Sequence, residues 1–203
     1  VAVARERAFA DVRRTSGFDE VTGEIAQMKD LRDNLTALTR SIPQSFGNLA
    51  QTATVGGQGG LDQSELSAFT QYITKFSTVS GIAADSAAEK LLKLRNILGY
   101  TAGGYDILAK SISYAGAESA ATEAQIIAVA NEIAPYSRQV GFATEETIGF
   151  ATALASLQIA PERARSATQD LFRSIDGAVT TGGESLRNFA KISGMSAEEF
   201  TAS

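Results

Sequence analysis

Cysteine, histidine and tryptophan are absent from the sequence, and proline and methionine occur only 3 and 2 times. Without cysteine there is no disulfide framework and no thiolate metal site, and the redox compartment leaves no mark on the chain. Without histidine, the commonest general base near neutral pH and the commonest metal ligand are both missing. Serine or cysteine nucleophiles that depend on a histidine are excluded with it. Long apolar runs are lacking too. The best stretch, Ile126 to Ala134, is interrupted by Asn131 and Glu132 and falls short of the roughly 18 residues that a membrane-spanning helix needs. Val1 is preceded by no methionine or basic segment and residues 1 to 14 are amphipathic, so no signal peptide is expected in this stretch. Charge of one sign does not dominate. The 18 basic and 23 acidic residues leave a net charge of -5, with the acids scattered, which argues against nucleic acid as a static partner.

What is present is helical periodicity. Hydrophobic residues make up 44% of a 203-residue chain, enough for one sizeable core or two small ones. They recur at intervals of three and four, with almost no alternating, β-branched stretches. Met28, Leu31, Leu35, Leu38 and Ile42 share one stripe, although two heptads are too few for a coiled coil. Leu66, Phe69, Ile73 and Phe76 form a second stripe, Leu91, Leu94 and Leu98 a third, and Ile126, Val129 and Ile133 a fourth. Ile148, Ala151 and Leu154 continue the series, as do Leu171 and Ile175.

Helix starts are expected where a capping oxygen precedes Glu or Gln by three residues: Asp62 with Glu65, Ser86 with Glu89, Thr122 with Gln125, and Ser196 with Glu199. Thr144 with Glu145 and Glu146 puts negative charge in a first turn, and Ala160-Pro161-Glu162 puts proline at a first helical position. Gly17, Gly81, Gly99, Gly116, Gly141, Gly177 and Gly194 are the expected stops. The pattern predicts an all-α array of about eleven short amphipathic helices. One unbroken helix of this length would reach roughly 300 Å, and glycine and proline at this density break such a rod. Isolated helices shorter than about 12 to 15 residues are marginal in water, so the stripes are expected to bury against one another, within the chain or in an oligomer. Gly56-Gly57-Gln58-Gly59-Gly60 is the strongest internal break. It predicts an N-terminal helical, extended part over 1–55, a Gly-rich joint at 56–60 and a compact helical domain over 61–203.

Candidate sites resolve into structural features. The Gly56 to Gly60 run lacks the Lys-Ser or Lys-Thr of a phosphate cradle and follows no strand, so a loop is expected. Glu145-Glu146 and Glu198-Glu199 are adjacent carboxylates, but neighbours on a helix point about 100° apart, and first-turn electrostatics behind a Thr or Ser cap accounts for both pairs. Arg163, Arg165 and Arg173 suggest a basic surface, yet Glu162 stands three residues before Arg165 and would satisfy its charge locally, leaving a solvated face. Tyr100 and Tyr105 flank Gly103-Gly104, where a turn anchored by two half-buried rings is expected rather than a binding platform. No residue is nominated as catalytic, cofactor-binding or metal-binding, and no cofactor is expected.

Several blocks carry a family resemblance: Leu61 to Thr70 with a Leu-x4-Leu-x2-Phe-Thr pattern, Ala120 to Ile127, Gly141 to Glu146, Ile159-Ala160-Pro161-Glu162, Thr181 to Leu186, and Phe189 to Ser196. In this order they resemble the conserved domain of tail tape measure proteins of long-tailed phages and prophages, and Phe9 to Gly17 and Ser41-Ile42-Pro43 resemble the entry into it. Arg163 to Thr168 departs from the family, whose members often carry a glycine-containing Gly-Thr motif there. The resemblance implies a structural, non-enzymatic ruler that lies inside the tail tube, sets tail length during assembly and leaves at genome ejection. It also implies that this chain is a segment of a longer protein. Implied partners are a small number of other copies, often three, the tail tube protein, tail-tip proteins and assembly chaperones, in the virion tail and, during assembly, the host cytoplasm. Membrane contact would belong to regions outside this segment. Two further readings stand beside this one. A cell-wall hydrolase working with Glu and Asp alone would need a buried carboxylate in an isolated, non-capping position, and the sequence nominates none. A membrane-active helical module is opposed by the lack of lysine and arginine concentrated on polar faces.

Overall fold

The computed structural model describes residues 2–16, 24–100 and 104–202. Among them are eleven helices: α1 (Ala2–Thr15), α2 (Glu24–Ser41), α3 (Phe46–Gln58), α4 (Gln63–Ser80), α5 (Ala84–Leu98), α6 (Tyr105–Ala117), α7 (Glu123–Gln139), α8 (Thr144–Ser156), α9 (Pro161–Thr181), α10 (Gly183–Ser193) and α11 (Ala197–Ala202). No strand occurs among the described residues, so the all-α expectation holds. Gly17 and Gly103 lie outside the described residues.

The stripes do what their spacing implies. Leu31, Leu35, Leu38 and Ile42 are buried, as are Leu66, Phe69, Ile73 and Phe76, then Leu91 and Leu94, then Ile126, Val129 and Ile133. Removing each such side chain from water contributes about 1.5–3 kcal/mol. Helices α1 to α9 share one cluster of buried residues running from Phe9 to Ala164. Within it α3 packs on α1, α4 and α5, α4 on α2 and α6, and α7 on α5, α8 and α9. The last stripe is different: Leu171 is 39% exposed and Ile175 is only half-buried.

Helix ends follow local chemistry, with corrections. At α7 the Thr122 amide donates to Gln125 Oε1 at 2.9 Å and the Gln125 amide donates back to Thr122 Oγ1 at 3.3 Å, a complete capping box. Ser196 and Glu199 make the same reciprocal pair before α11, at 2.9 and 3.2 Å. At α4 the Asp62 amide donates to Glu65 Oε2 at 3.4 Å. Ser86, expected as a cap, lies inside α5, which begins after Ala83. The fully buried Ala87 and Ala88 draw that first turn into the core, so packing sets the start. Thr144 likewise belongs to α8, behind Ala143.

Gly81, Gly99 and Gly194 end their helices in the left-handed conformation, as expected, and Gly141, with φ of 84°, follows the end of α7. Gly116 and Gly177 do not stop their helices. Gly116 is inside α6 and Gly177 inside α9, which turns only at Gly182 and Gly183. Pro135, counted among the breakers, sits within an unbroken α7, held by buried neighbours Ile133, Ala134 and Ser137.

The glycine run at 56–60 was expected to be a joint. Its first three residues instead close α3, and the glycines serve close approach. A Cβ on Gly56 would lie 2.9 Å from Phe69 Cδ1 in α4, one on Gly57 2.7 Å from Ser16 Oγ after α1, and one on Gly59 2.6 Å from Leu92 Cδ1 in α5. Three neighbours on three sides meet bare backbone, which is how α3 reaches the centre of the bundle.

Candidate functional site

The residues singled out from sequence are dispersed over the molecule rather than gathered at one place. Glu146 Oε2 accepts the Ala143 amide at 2.8 Å and Glu199 Oε2 accepts the Ser196 amide, so one member of each adjacent acid pair caps a helix. These hydrogen bonds from the Ser196 backbone and then from its hydroxyl hold the Glu199 carboxyl below its usual pKa of 4.5 although the residue is fully exposed. The pairs stand at the starts of α8 and α11 and converge on nothing.

The arginines also separate. Arg165 pairs with Glu132 of α7 at 3.6 Å, not with Glu162 as its spacing suggested, because α9 lies against α7 and brings a distant acid nearer than the local one. Arg173 pairs with Asp170 at 2.9 Å, both exposed, a contact worth at most about 1 kcal/mol. Tyr100 and Tyr105 part company as well. Tyr100 Oη bonds Thr144 Oγ1 at 2.9 Å, tying the end of α5 to the start of α8. Tyr105 is buried against the edges of Phe69 and Tyr72, with ring centroids 5.3 and 5.9 Å away. Burial, followed by the nearby Glu65 and Asp106 carboxylates, pushes its phenol above the usual 10.0.

Two polar features went unrecognised in the sequence. Arg95 is 3% exposed, with its guanidinium 4.0 Å from Glu65 and donating to Asn96 Oδ1 at 3.1 Å. It stands four residues after Leu91 on the same stripe, and a lone cation on a buried stripe was the available signal. Such a pair fixes the geometry between α4 and α5 more than it stabilises it, since desolvating two charges offsets most of their attraction. Arg138 donates to the Ile97 carbonyl at 2.7 Å, placing a cation at the C-terminal end of α5, where the helix dipole favours it. A Cβ on Gly99 would come within 2.3 Å of that guanidinium, so α7 closes the end of α5 over bare glycine.

The body and the C-terminal arm contrast sharply. No residue past Ala164 joins the buried cluster. Phe172 packs back onto the body, its ring 5.5 Å from that of Phe142 and 6.4 Å from that of Phe150. Beyond it α10 packs on α9 and α11, with Ala178 and Ala190 buried, while Ile192 is 84% and Met195 44% exposed. Phe189 and Phe200 stack at 6.2 Å. A groove of about 460 Å³ runs between the end of α7 and α9, lined by Tyr136, Val140, Gln169, Phe172, Arg173 and Asp176 among others.

Among the described residues no group of three or more acids is placed to hold a metal ion, and no helix is long and apolar enough to cross a membrane. The arrangement offers surfaces for other macromolecules: an uncovered amphipathic arm and the groove at its root. A family model described as phage-related minor tail protein matches residues 32–203. No curated protein and no solved structure matches the chain.

Proposed function

The chain belongs to the phage-related minor tail protein family, and from that premise we propose that it is a segment of a tail tape measure protein. In this reading it is a structural, non-enzymatic component that sets tail length during assembly and occupies the tube lumen until ejection. The family match carries the coarser statement, a phage tail protein. The ordered blocks from Leu61 to Ser196 support the finer one. An array of short helices suits such a role, because most of them bury an apolar stripe against neighbours and many of their threonine hydroxyls are satisfied within the same helix. Thr54, Thr70, Thr74 and Thr152 each donate to the carbonyl four residues earlier. Contacts between helices are then largely apolar and adaptable. The partners in this role are other copies of the chain, the tail tube protein, tail-tip proteins and assembly chaperones.

Tail length is the test. α1, α2 and α3 pack into the same core as the later helices, in place of the extended part expected over 1–55, so the measuring length is assigned to extended helical portions of the longer protein. Removing whole turns there should shorten tails in proportion, at about 1.5 Å per helical residue, and adding turns should lengthen them. Tails of unchanged length after such changes would count against the measuring role. A zymogram on bacterial cell wall tests the non-enzymatic part, for which no clearing is expected.

A further inference from the structure

Helix α9 is 21 residues long, yet the body holds little of it. Only Ala164 and Thr168 are buried on the stripe that faces the body, and its third buried residue, Ala178, lies in the last turn, next to α10. The Thr168 hydroxyl is buried with no hydrogen-bond partner among the described residues, whereas Thr54, Thr70 and Thr74 each reach a carbonyl in their own helix. A hydroxyl in that state opposes docking and regains water on release. The Arg165–Glu132 pair is partly solvated and adds little. The seam between α7 and α9 is also open at both ends. A space of about 290 Å³ lined by Gln125, Ala128, Val129 and Pro161 lies at its start, and the groove of about 460 Å³ lies at its end.

The covalent link is as slight as the seam. Between α8 and α9 run only Leu157 to Ala160, with Leu157 71% exposed. Gln158 holds a φ of 57° there, a conformation that side chains resist, and the contact steadying it from α7 is the 3.3 Å bond from Gln125. The elements beyond the link keep their own contacts. α10 packs on α9 and α11, Ala178 and Ala190 are buried, and Phe189 stacks on Phe200. Those contacts lie wholly within 161–202 and survive if the body is withdrawn.

We propose that α9, α10 and α11 form a detachable arm, which undocks from α7 as a unit by pivoting at Leu157 to Ala160. The structure shows the docked state. Release costs the burial of Ala164 and the packing of Phe172 on Phe142 and Phe150, and it hydrates Thr168 and relieves the turn at Gln158. At about 1.5 Å per residue α9 is about 30 Å long, so the pivot carries α10 and α11 by a distance of that order and gives the chain two lengths. The device belongs to this chain alone and stands whether or not the segment sets tail length.

Thiol labelling of the 203-residue chain tests it. The chain has no cysteine, so T168C carries a single thiol that the docked arm buries and the released arm offers to methyl methanethiosulfonate. Its opening should be at least about a hundredfold more frequent than global opening, read in the same protein from amide exchange at Phe69 and Ile73 in the core of α4. It should respond only weakly to dilute urea, because a pivot exposes little surface. Amides in the middle of α9 should be at least about tenfold better protected than the thiol, since the helix leaves intact. A164C, one turn nearer the pivot, should label in the same way and supplies the reading if T168C does not fold. E132R sets a cation against Arg165 and should speed labelling about threefold or more, and E132R/R165E should restore the rate. A thiol as protected as the α4 amides, α9 amides that open as often as the thiol, or labelling indifferent to E132R would each overturn the proposal.

Discussion

Replacing Gly56 by alanine distinguishes a packed helix from a flexible joint by the sign of its effect. In a loose segment the change stabilises by about 0.4–1 kcal/mol, through the unfolded chain's lost freedom. In the interior of a helix the gain is similar, about 0.5–1 kcal/mol from propensity. Here the new methyl would stand 2.9 Å from Phe69 Cδ1 and 3.0 Å from Leu66 Cδ2, and both side chains are fully buried. Neither has free space to retreat into, so overpacking of about 1–3 kcal/mol applies. The net expectation for G56A is a loss of about 1–2 kcal/mol, a fall in melting temperature of about 2–8 °C for a chain of this size. G149A is the matched control. Gly149 is exposed within α8 with nothing within 4 Å of its Cβ position, so that change should stabilise by about 0.5–1 kcal/mol. Thermal unfolding followed by circular dichroism at 222 nm reads both. A rise in melting temperature for G56A, matching that of G149A, would refute the packed reading.

Three further outcomes are expected. Gln158 holds a left-handed φ of 57°, alone among described non-glycine residues; Q158G should stabilise by up to about 1 kcal/mol in denaturant titration despite losing the 3.3 Å bond from Gln125, and destabilisation would mean the amide contact outweighs the strain. The raised Tyr105 phenol favours the neutral, folded form, so its contribution is present below pH 10 and lost as pH rises through the higher folded value. Absorbance titration should show one of the 5 tyrosines ionising late, and Y105F should remove that step; a titration unchanged by Y105F would contradict the burial argument. The Glu199 carboxyl is lowered, so the capping of α11 is intact above pH 4.5 and is lost as pH falls through its folded value. Amide protection in α11, relative to the intrinsic exchange rate at each pH, should fall there, and E199Q should remove that change; a protection profile identical in E199Q would count against the cap.

Much of the body was legible because its stripes are governed by local spacing, as the burial of Leu66, Phe69, Ile73 and Phe76 illustrates. Where reading failed, tertiary contact decided. Gly56, Gly57 and Gly59 look like loop glycines in a string, and only the arrival of Phe69, Ser16 and Leu92 at their bare backbone distinguishes them. Arg165 chose Glu132 over Glu162 for the same reason. Ser86 satisfied a capping pattern that the burial of Ala87 and Ala88 overrode. The stripe of Leu171 and Ile175 promised burial, yet periodicity reports which face is apolar and not whether anything covers it. The candidate site went unseen on that account: the groove beside Phe172 exists only because α9 outruns the body it packs on.

The most direct test of the structural role is to image intact tails by electron cryo-microscopy and locate this segment. The account predicts helical density assignable to these residues inside the tube lumen of unejected tails. Finished tails without the segment, or with it only on the outer surface, would contradict it.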